Sequence, residues 1–485
     1  MEVRFPARLR AEPANGRLLL LMIDAAQGDR SPLGAPFWMD PQPIYSTAVH
    51  NVTPGAAMRL DARAAAFPVP LNALTGQYRI QAVLDVDETF SRFGDSADNL
   101  ISDIQTVTFD PGQPVQLELQ LDRHVEPPQV ADTPRVKQVI LRSQRLSAFW
   151  KRDVFLRAGV VLPEGFDQAP ARRYATIYHI PGFGGRHFSA WRRRGSEHAL
   201  DRQVVHVYLD PDGPFGHHLF VNSQNNGPVG DALVHELIPH LQRRFRLIDQ
   251  TQARLLTGHS SGGFTSVWLQ INYPRFFGGC WATSPDPVDF RAFQNVNLYQ
   301  DRNAFVQNDG QERPSIVVQG KTVCSMGQEY GMEQAMDPTG ASGQQWASWM
   351  AAFSPRGPDG RPVPLWDTNG SIDAEVAEFW RRRDPALILQ RRWPDLGPIM
   401  AQRLRIIVGS QDNFSLHVAV GLLDDVLSDL PGWPGNHTPN EGSDRGYIEV
   451  IPGRNHFNLY RDGLADRIRR EMLTHLRRTH HTSGE

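Results

Sequence analysis

Ser260 lies in Gly258-His259-Ser260-Ser261-Gly262-Gly263, a G-x-S-x-G pattern. A serine hydroxyl is a poor nucleophile until the backbone thrusts it into the open and a base takes its proton. Both requirements leave marks in a sequence. Ahead of the pattern, Arg254 to Thr257 reads as a short strand; behind it, Phe264, Val267, Trp268 and Ile271 recur at helical spacing. A strand that turns directly into a helix at a serine makes a nucleophile elbow. The residues two before and two after must be small, and the helix N-terminus points at the serine oxygen. The competing reading is a serine-capped helix with packing glycines. Ser261 is the poorer nucleophile, because His259, two residues before it, is too large for the turn.

The base and its orienting acid should follow in the order acid, then histidine, on loops at the carboxyl ends of later strands. Asp412 sits just past a strand at Arg405 to Val408, and His456 just past one at Tyr447 to Ile451, in Pro452-Gly-Arg-Asn-His456. Asp286 and Asp289, in Ser284-Pro-Asp-Pro-Val-Asp289, are rival acids. The oxyanion of a tetrahedral intermediate needs backbone donors. One is expected at Ser261 N–H and the other at Phe183 or Gly184, in the loop Pro181-Gly182-Phe183-Gly184-Gly185. Other chemistry fits less well. His235-Glu236 and His240 miss the spacing of a zinc-protease helix by one residue and have Pro239 between them. The doublet His217-His218 has no partner spacing, and no phosphate-binding G-x-x-x-x-G-K-[ST] loop occurs.

Two kinds of element must position these residues. From about 136 to 485, strands and amphipathic helices alternate, which predicts a doubly wound, mostly parallel α/β sheet. Residues from about 290 to 395 interrupt that alternation and hold five of the eleven tryptophans. They are expected to form either a lid or substrate wall, or a packed subdomain. Residues 1–125 read instead as short β-strands with turns between them. Tyr78, Ile80, Ala82 and Leu84 alternate with polar neighbours, as do Val115, Leu117, Leu119 and Leu121. This predicts an all-β, immunoglobulin-like sandwich domain. Residues 126–135, with Pro127, Pro128 and Pro134, read as a linker.

The chain has 485 residues, 40% hydrophobic and 21% charged, with a formal charge of −3. That composition excludes a disordered chain and gives no basic field for nucleic acid. The longest apolar run, Leu18 to Ile23, is far too short to span a bilayer. The N-terminus lacks a leader layout, so a cytoplasmic location is expected if the chain is complete, and export if a leader was removed. Cys280 and Cys324 could pair once or stay free.

The elbow, the Gly182-Phe183-Gly184-Gly185 loop, Glu236-Leu-Ile-Pro239 and Pro452-Gly-Arg-Asn-His456 together resemble the esterase family of the α/β-hydrolase fold. That family includes feruloyl esterases, S-formylglutathione hydrolases, enterochelin esterases and mycolyltransferases. The resemblance covers residues from about 136 to 478. A β-domain placed before it is similar to the enterochelin-esterase layout, and the insertion after Asp289 is larger than compact members carry. The resemblance implies a serine carboxylic-ester hydrolase with Ser260, His456 and Asp412 as its triad. It implies no metal or organic cofactor and a small-molecule or polymer-linked ester as substrate. Acyl transfer on the same triad, or ligand binding without catalysis, are the alternatives. The N-terminal domain could bind polymer, shape the active-site mouth or form a homodimer.

Overall fold

The computed structural model describes residues 1–111, 116–193, 198–435 and 445–481; Val115 of the N-terminal pattern falls outside them. At its centre is an eight-stranded sheet. In spatial order its strands are Val136–Arg142, Phe155–Val161, Val204–Leu209, Ala175–Ile180, Arg254–His259, Gly279–Thr283, Leu404–Gly409 and Tyr447–Ile451. Phe155–Val161 runs antiparallel to both of its neighbours, and the six strands from Val204–Leu209 onward are parallel. Strands covered on both faces read as unbroken apolar runs, and Leu404 to Gly409 is buried at every position. The chain first builds outward to Val204–Leu209, then crosses Ala175–Ile180 to continue at Arg254–His259. A reversal of this kind opens a crevice beyond the carboxyl ends of the strands.

One face of the sheet carries the helix Ser261–Asn272, buried from Ser261 to Ile271. Its small polar side chains bond back to its own backbone, Thr265 to Ser261 O (2.7 Å) and Ser266 to Gly262 O (2.8 Å). The amphipathic helix Leu464–His481 covers the other face through Leu464, Ile468, Met472 and Leu476. The spacing of Val234, Leu237, Ile238, Leu241 and Phe245 predicts one regular helix, but that helix is interrupted. A wide π-turn at Leu233–Leu237 precedes Ile238–Arg244. Pro239 has no N–H to offer His235 O, and its ring would collide with that carbonyl in a regular helix, so the turn widens.

The N-terminal strands form one nine-stranded sheet. Strands from one end of its path, with Val3, Met58, Leu119 and Leu121, meet Leu18, Leu20 and Met22 of the other half in one core. The opposite face, with Leu19, Leu21, Ile44 and Val83, packs on Met332, Ala335 and Met336 of the helix Met326–Met336. This double burial explains why Leu18 to Ile23 is apolar at every position rather than at alternate ones.

The segment from 290 to 395 supplies the hairpin Pro314–Val318/Lys321–Ser325 and the helices Met326–Met336, Gln345–Phe353, Ala374–Arg381 and Pro385–Arg403. Trp346, Trp349, Trp366 and Trp380 are buried in the same core as Phe264 of the elbow helix. Trp349 lies edge-on to Phe264 with ring centres 4.8 Å apart. Cys280 and Cys324 are both free and buried. The architecture is an α/β-hydrolase fold with a β-rich domain at its N-terminus.

Candidate active site

Strand Arg254–His259 ends at Ser260, whose φ of 59° and ψ of −128° place a non-glycine residue in strained backbone space. The turn is held by hydrogen bonds from Ser260 N to Thr283 O (3.1 Å) and from Asp286 N to Ser260 O (3.2 Å). Its tightness explains the flanking glycines. A Cβ on Gly258 would come within 2.2 Å of Gly262 O, and one on Gly262 within 2.0 Å of Ile180 O.

Asp412 and His456 come from the loops after the last two parallel strands, Leu404–Gly409 and Tyr447–Ile451. His456 Nδ1 lies 2.8 Å from Asp412 Oδ2, with both side chains almost wholly buried. The loop is fixed further by Phe414 N donating to Asp412 Oδ1 (3.0 Å) and His456 N donating to Asn413 Oδ1 (3.2 Å). Burial alone would raise the Asp412 carboxyl. The hydrogen bond and charge of His456, with the Phe414 amide, outweigh it and hold the group below its usual range. The His259 ring packs 4.4 Å from that of His456. Burial, and then the nearby His456, push His259 down to about 3, so it is neutral at ordinary pH.

The Ser260 hydroxyl points elsewhere. It donates to Asp286 Oδ1 (3.1 Å), while Ser261 Oγ (2.6 Å) and Gln345 Nε2 (3.1 Å) donate to Asp286 Oδ2. Among the described residues no hydrogen bond joins Ser260 Oγ to His456. Asp289, the other rival acid, is engaged by Arg291 and caps the turn Phe290–Ala292. Of the three aspartates considered, Asp412 alone is bonded to His456.

Gly182 brings the second loop against the elbow: a Cβ there would lie 3.3 Å from Ser260 Cβ. Phe183 lines the same chamber as Ser260, whereas Gly184 lines a neighbouring cleft. Ser261, at the start of its helix, has an N–H with no partner one turn back. The loop is braced by residues that sequence reading missed. His217 Nε2 donates to Pro181 O (3.0 Å), its Nδ1 accepting from Leu219 N (3.2 Å). From the N-terminal domain, Arg92 donates to Gly184 O, and Trp38 packs on Phe183 with ring centres 4.9 Å apart. No local pattern around Arg92 or Trp38 marks either residue.

Ser260 and His456 open into a chamber of about 520 Å³. Trp38 and Met39 come to it from the N-terminal domain, Phe293, Trp346 and Trp349 from the inserted segment, and Phe414 from the Asp412 loop. A cleft of about 560 Å³ adjoins it across Trp38, Met39 and Phe183. Among the described residues no group of three or more His, Cys, Asp or Glu could hold a metal ion, and no helix is long and apolar enough to cross a membrane.

A strained serine at the strand-to-helix turn, beside a buried His–Asp pair, defines a site of α/β-hydrolase type. The family model described as "Putative esterase" matches residues 156–419, more than half the chain. The protein belongs to that family and is an esterase. No curated protein matches the sequence. Among solved structures it is similar to an S-formylglutathione hydrolase from Agrobacterium tumefaciens, at 11% identity and TM-score 0.39, over 70% of this chain and 95% of that one. It is also similar to an S-formylglutathione hydrolase from Staphylococcus aureus, at 14% and 0.36, over 70% and 98%. A third is a ferulic acid esterase from Anaeromyces mucronatus, at 12% and 0.35, over 72% and 95%.

Proposed function

We propose that ester hydrolysis proceeds through an acyl-enzyme on Ser260, with His456 as general base and Asp412 as its orienting acid. The observation that carries this reading is the 2.8 Å contact between His456 Nδ1 and Asp412 Oδ2, buried in the chamber that Ser260 opens into. With Nδ1–H given to Asp412, Nε2 is left as the basic nitrogen. A turn about the Ser260 Cα–Cβ bond takes the hydroxyl from Asp286 towards it. Ser260 Oγ then attacks the ester carbonyl as its proton passes to His456. The oxyanion is received by Ser261 N–H and by a donor from the Phe183–Gly184 loop, with Phe183 favoured because it faces the chamber. His456 returns the proton to the departing alcohol, and water releases the acid by the same steps.

The aromatic chamber suits an ester part of about the size of a phenyl ring or short alkyl chain, supplied free or on a polymer. In this reading residues 1–125 and the segment 290–395 are walls of the chamber built onto the catalytic region, 136–485. Ser260→Ala tests the core assignment. Turnover of 4-nitrophenyl acetate should fall by about 10³-fold or more, and fluorophosphonate labelling should vanish. A variant that keeps most of its activity removes Ser260 from the mechanism.

A further inference from the structure

Three acceptor groups lining the chamber are buried with no cation among the described residues to answer them. Asp286 and Glu329 line it and are 4% and 2% exposed. The groups that donate to them are all neutral: Ser260, Ser261 and Gln345 for Asp286, and the Ser315 hydroxyl with the Trp346 indole for Glu329. A buried carboxylate without a cation is costly, and burial pushes Glu329 up to about 7. Gln294 lines the same chamber, is 6% exposed, and its Oε1 is buried without a hydrogen-bond donor. Its backbone is held at a φ of 55°, a conformation that a glutamine adopts only at a cost. Glu333, equally buried on the same helix, accepts from Trp346 N (2.7 Å) and Ala347 N (2.9 Å) at the start of the helix Gln345–Phe353, and burial raises it too, to about 8.

The reaction makes the deficit worse. When the Ser260 hydroxyl turns to His456, Asp286 Oδ1 loses its 3.1 Å donor. The Asp286 carboxyl, which burial raises above its usual range, is then short of a donor and sits beside an oxygen on which negative charge is about to develop. A substrate that brings positive charge and several N–H groups to that spot cures both faults. A primary ammonium presents three donors where a hydroxyl presents one. The rings of Phe293, Trp346 and Trp349 line the same volume and attract cations through their faces. Because Asp286 is within hydrogen-bond reach of the attacking oxygen, the ammonium must sit only a bond or two from the scissile carbonyl.

We propose that the chamber takes esters whose acyl part carries a primary ammonium next to the carbonyl, aminoacyl esters in chemical class, with Asp286, Glu329 and Gln294 accepting its N–H groups. This rests on Ser260 being the nucleophile. The test compares three ethyl esters: phenylalanine, 3-phenylpropanoate, which lacks the amine, and N-acetylphenylalanine, whose nitrogen is neutral. Each kcat/KM is divided by that ester's own hydroxide-catalysed rate, which removes differences in intrinsic reactivity. The phenylalanine ester should lead both others by about tenfold or more, since recognition of a charged donor by buried acceptors discriminates strongly. Glu329→Gln should shrink that lead, read within the variant so that any general loss of activity divides out. Equal corrected rates for the three esters in the unmodified protein would overturn the ammonium assignment while leaving the serine mechanism standing. Failure to cleave any of them, with no fluorophosphonate labelling, would overturn both. The comparison in the unmodified protein stands even if Glu329→Gln does not fold.

Discussion

Replacing Asp412 by asparagine changes one charge while keeping the shape of the side chain. In the transition state of the proposed mechanism His456 carries the proton of Ser260, so an imidazolium faces the Asp412 carboxylate across the 2.8 Å contact. That contact places the two charge centres roughly 4 Å apart, where opposite charges attract by about 4 kcal/mol at an effective dielectric of about 20. Each factor of ten in rate is about 1.4 kcal/mol, so kcat should fall by about 10³. An asparagine can also turn its amide to donate to Nδ1, leaving the wrong nitrogen basic and extending the loss towards about 10⁴. The assay is the burst and steady-state release of nitrophenolate from 4-nitrophenyl acetate, run beside Asp286→Asn. Asp286→Asn should not reproduce the thousandfold loss, because Asp286 makes no hydrogen bond to His456. A fall of less than tenfold in Asp412→Asn, or a thousandfold fall in Asp286→Asn alone, would refute the assignment of the acid. Stability gives a second reading. A carboxyl held below its unfolded value stabilises the fold above that value and loses the contribution as pH falls through the folded one. The melting temperature of Asp412→Asn should therefore trail that of the unmodified protein at neutral pH, with the gap closing towards acid.

Glu329 carries the opposite sign. Burial raises its carboxyl from 4.5 to about 7, so its contribution is intact below 4.5 and is lost as pH rises through about 7. In the ligand-free protein Glu329→Gln should therefore gain several degrees in Tm over the unmodified chain between pH 5 and pH 8; a gap that stays constant would mean that the carboxyl ionises normally. Trp38→Ala removes a chamber wall and the ring packed on Phe183. It should lower kcat/KM for a 3-phenylpropanoate ester about tenfold relative to an acetate, and equal effects on the two would show that Trp38 does not meet the acyl part. Deleting residues 1–125 uncovers the face of Met332, Ala335 and Met336. The remainder should aggregate on size-exclusion chromatography, and a monodisperse product with normal Tm would show that the shared core contributes little.

The parts of the site that the sequence announced are those with a local physical cause. The elbow is legible because a turn that tight admits only small residues at 258 and 262, and the strand and helix on either side keep different periods. Asp412 and His456 are legible because parallel strands deliver their loops to one edge. The unannounced parts come from contacts between distant segments. Trp38 and Arg92 belong to a stretch whose pattern reports only strands and turns, and nothing in that pattern records that its loops rest on the Phe183–Gly184 loop. The helix across Val234 to Phe245 was visible as an apolar stripe, but the π-turn within it follows from Pro239 meeting a carbonyl in space. The unbroken apolar run from Leu18 to Ile23 is what contact on both faces requires. Period-two reading treats such a run as one strand with one core, and so it could not name the helix Met326–Met336 as the second partner.

The two added segments therefore bear on the chemistry together. The helix Met326–Met336 fills the outer face of the N-terminal sheet with Met332, Ala335 and Met336, and presents Glu329 to the catalytic chamber. The N-terminal domain in turn sends Trp38 and Met39 into that chamber and Arg92 to the carbonyl of Gly184. A displacement of the sheet relative to this helix would move an acid on one wall and the Phe183–Gly184 loop on the other. Packed interiors resist gradual deformation, so the shared core fixes the spacing between them. Substitutions at Leu19 or Leu21, remote from the serine, would for that reason alter kcat as well as stability.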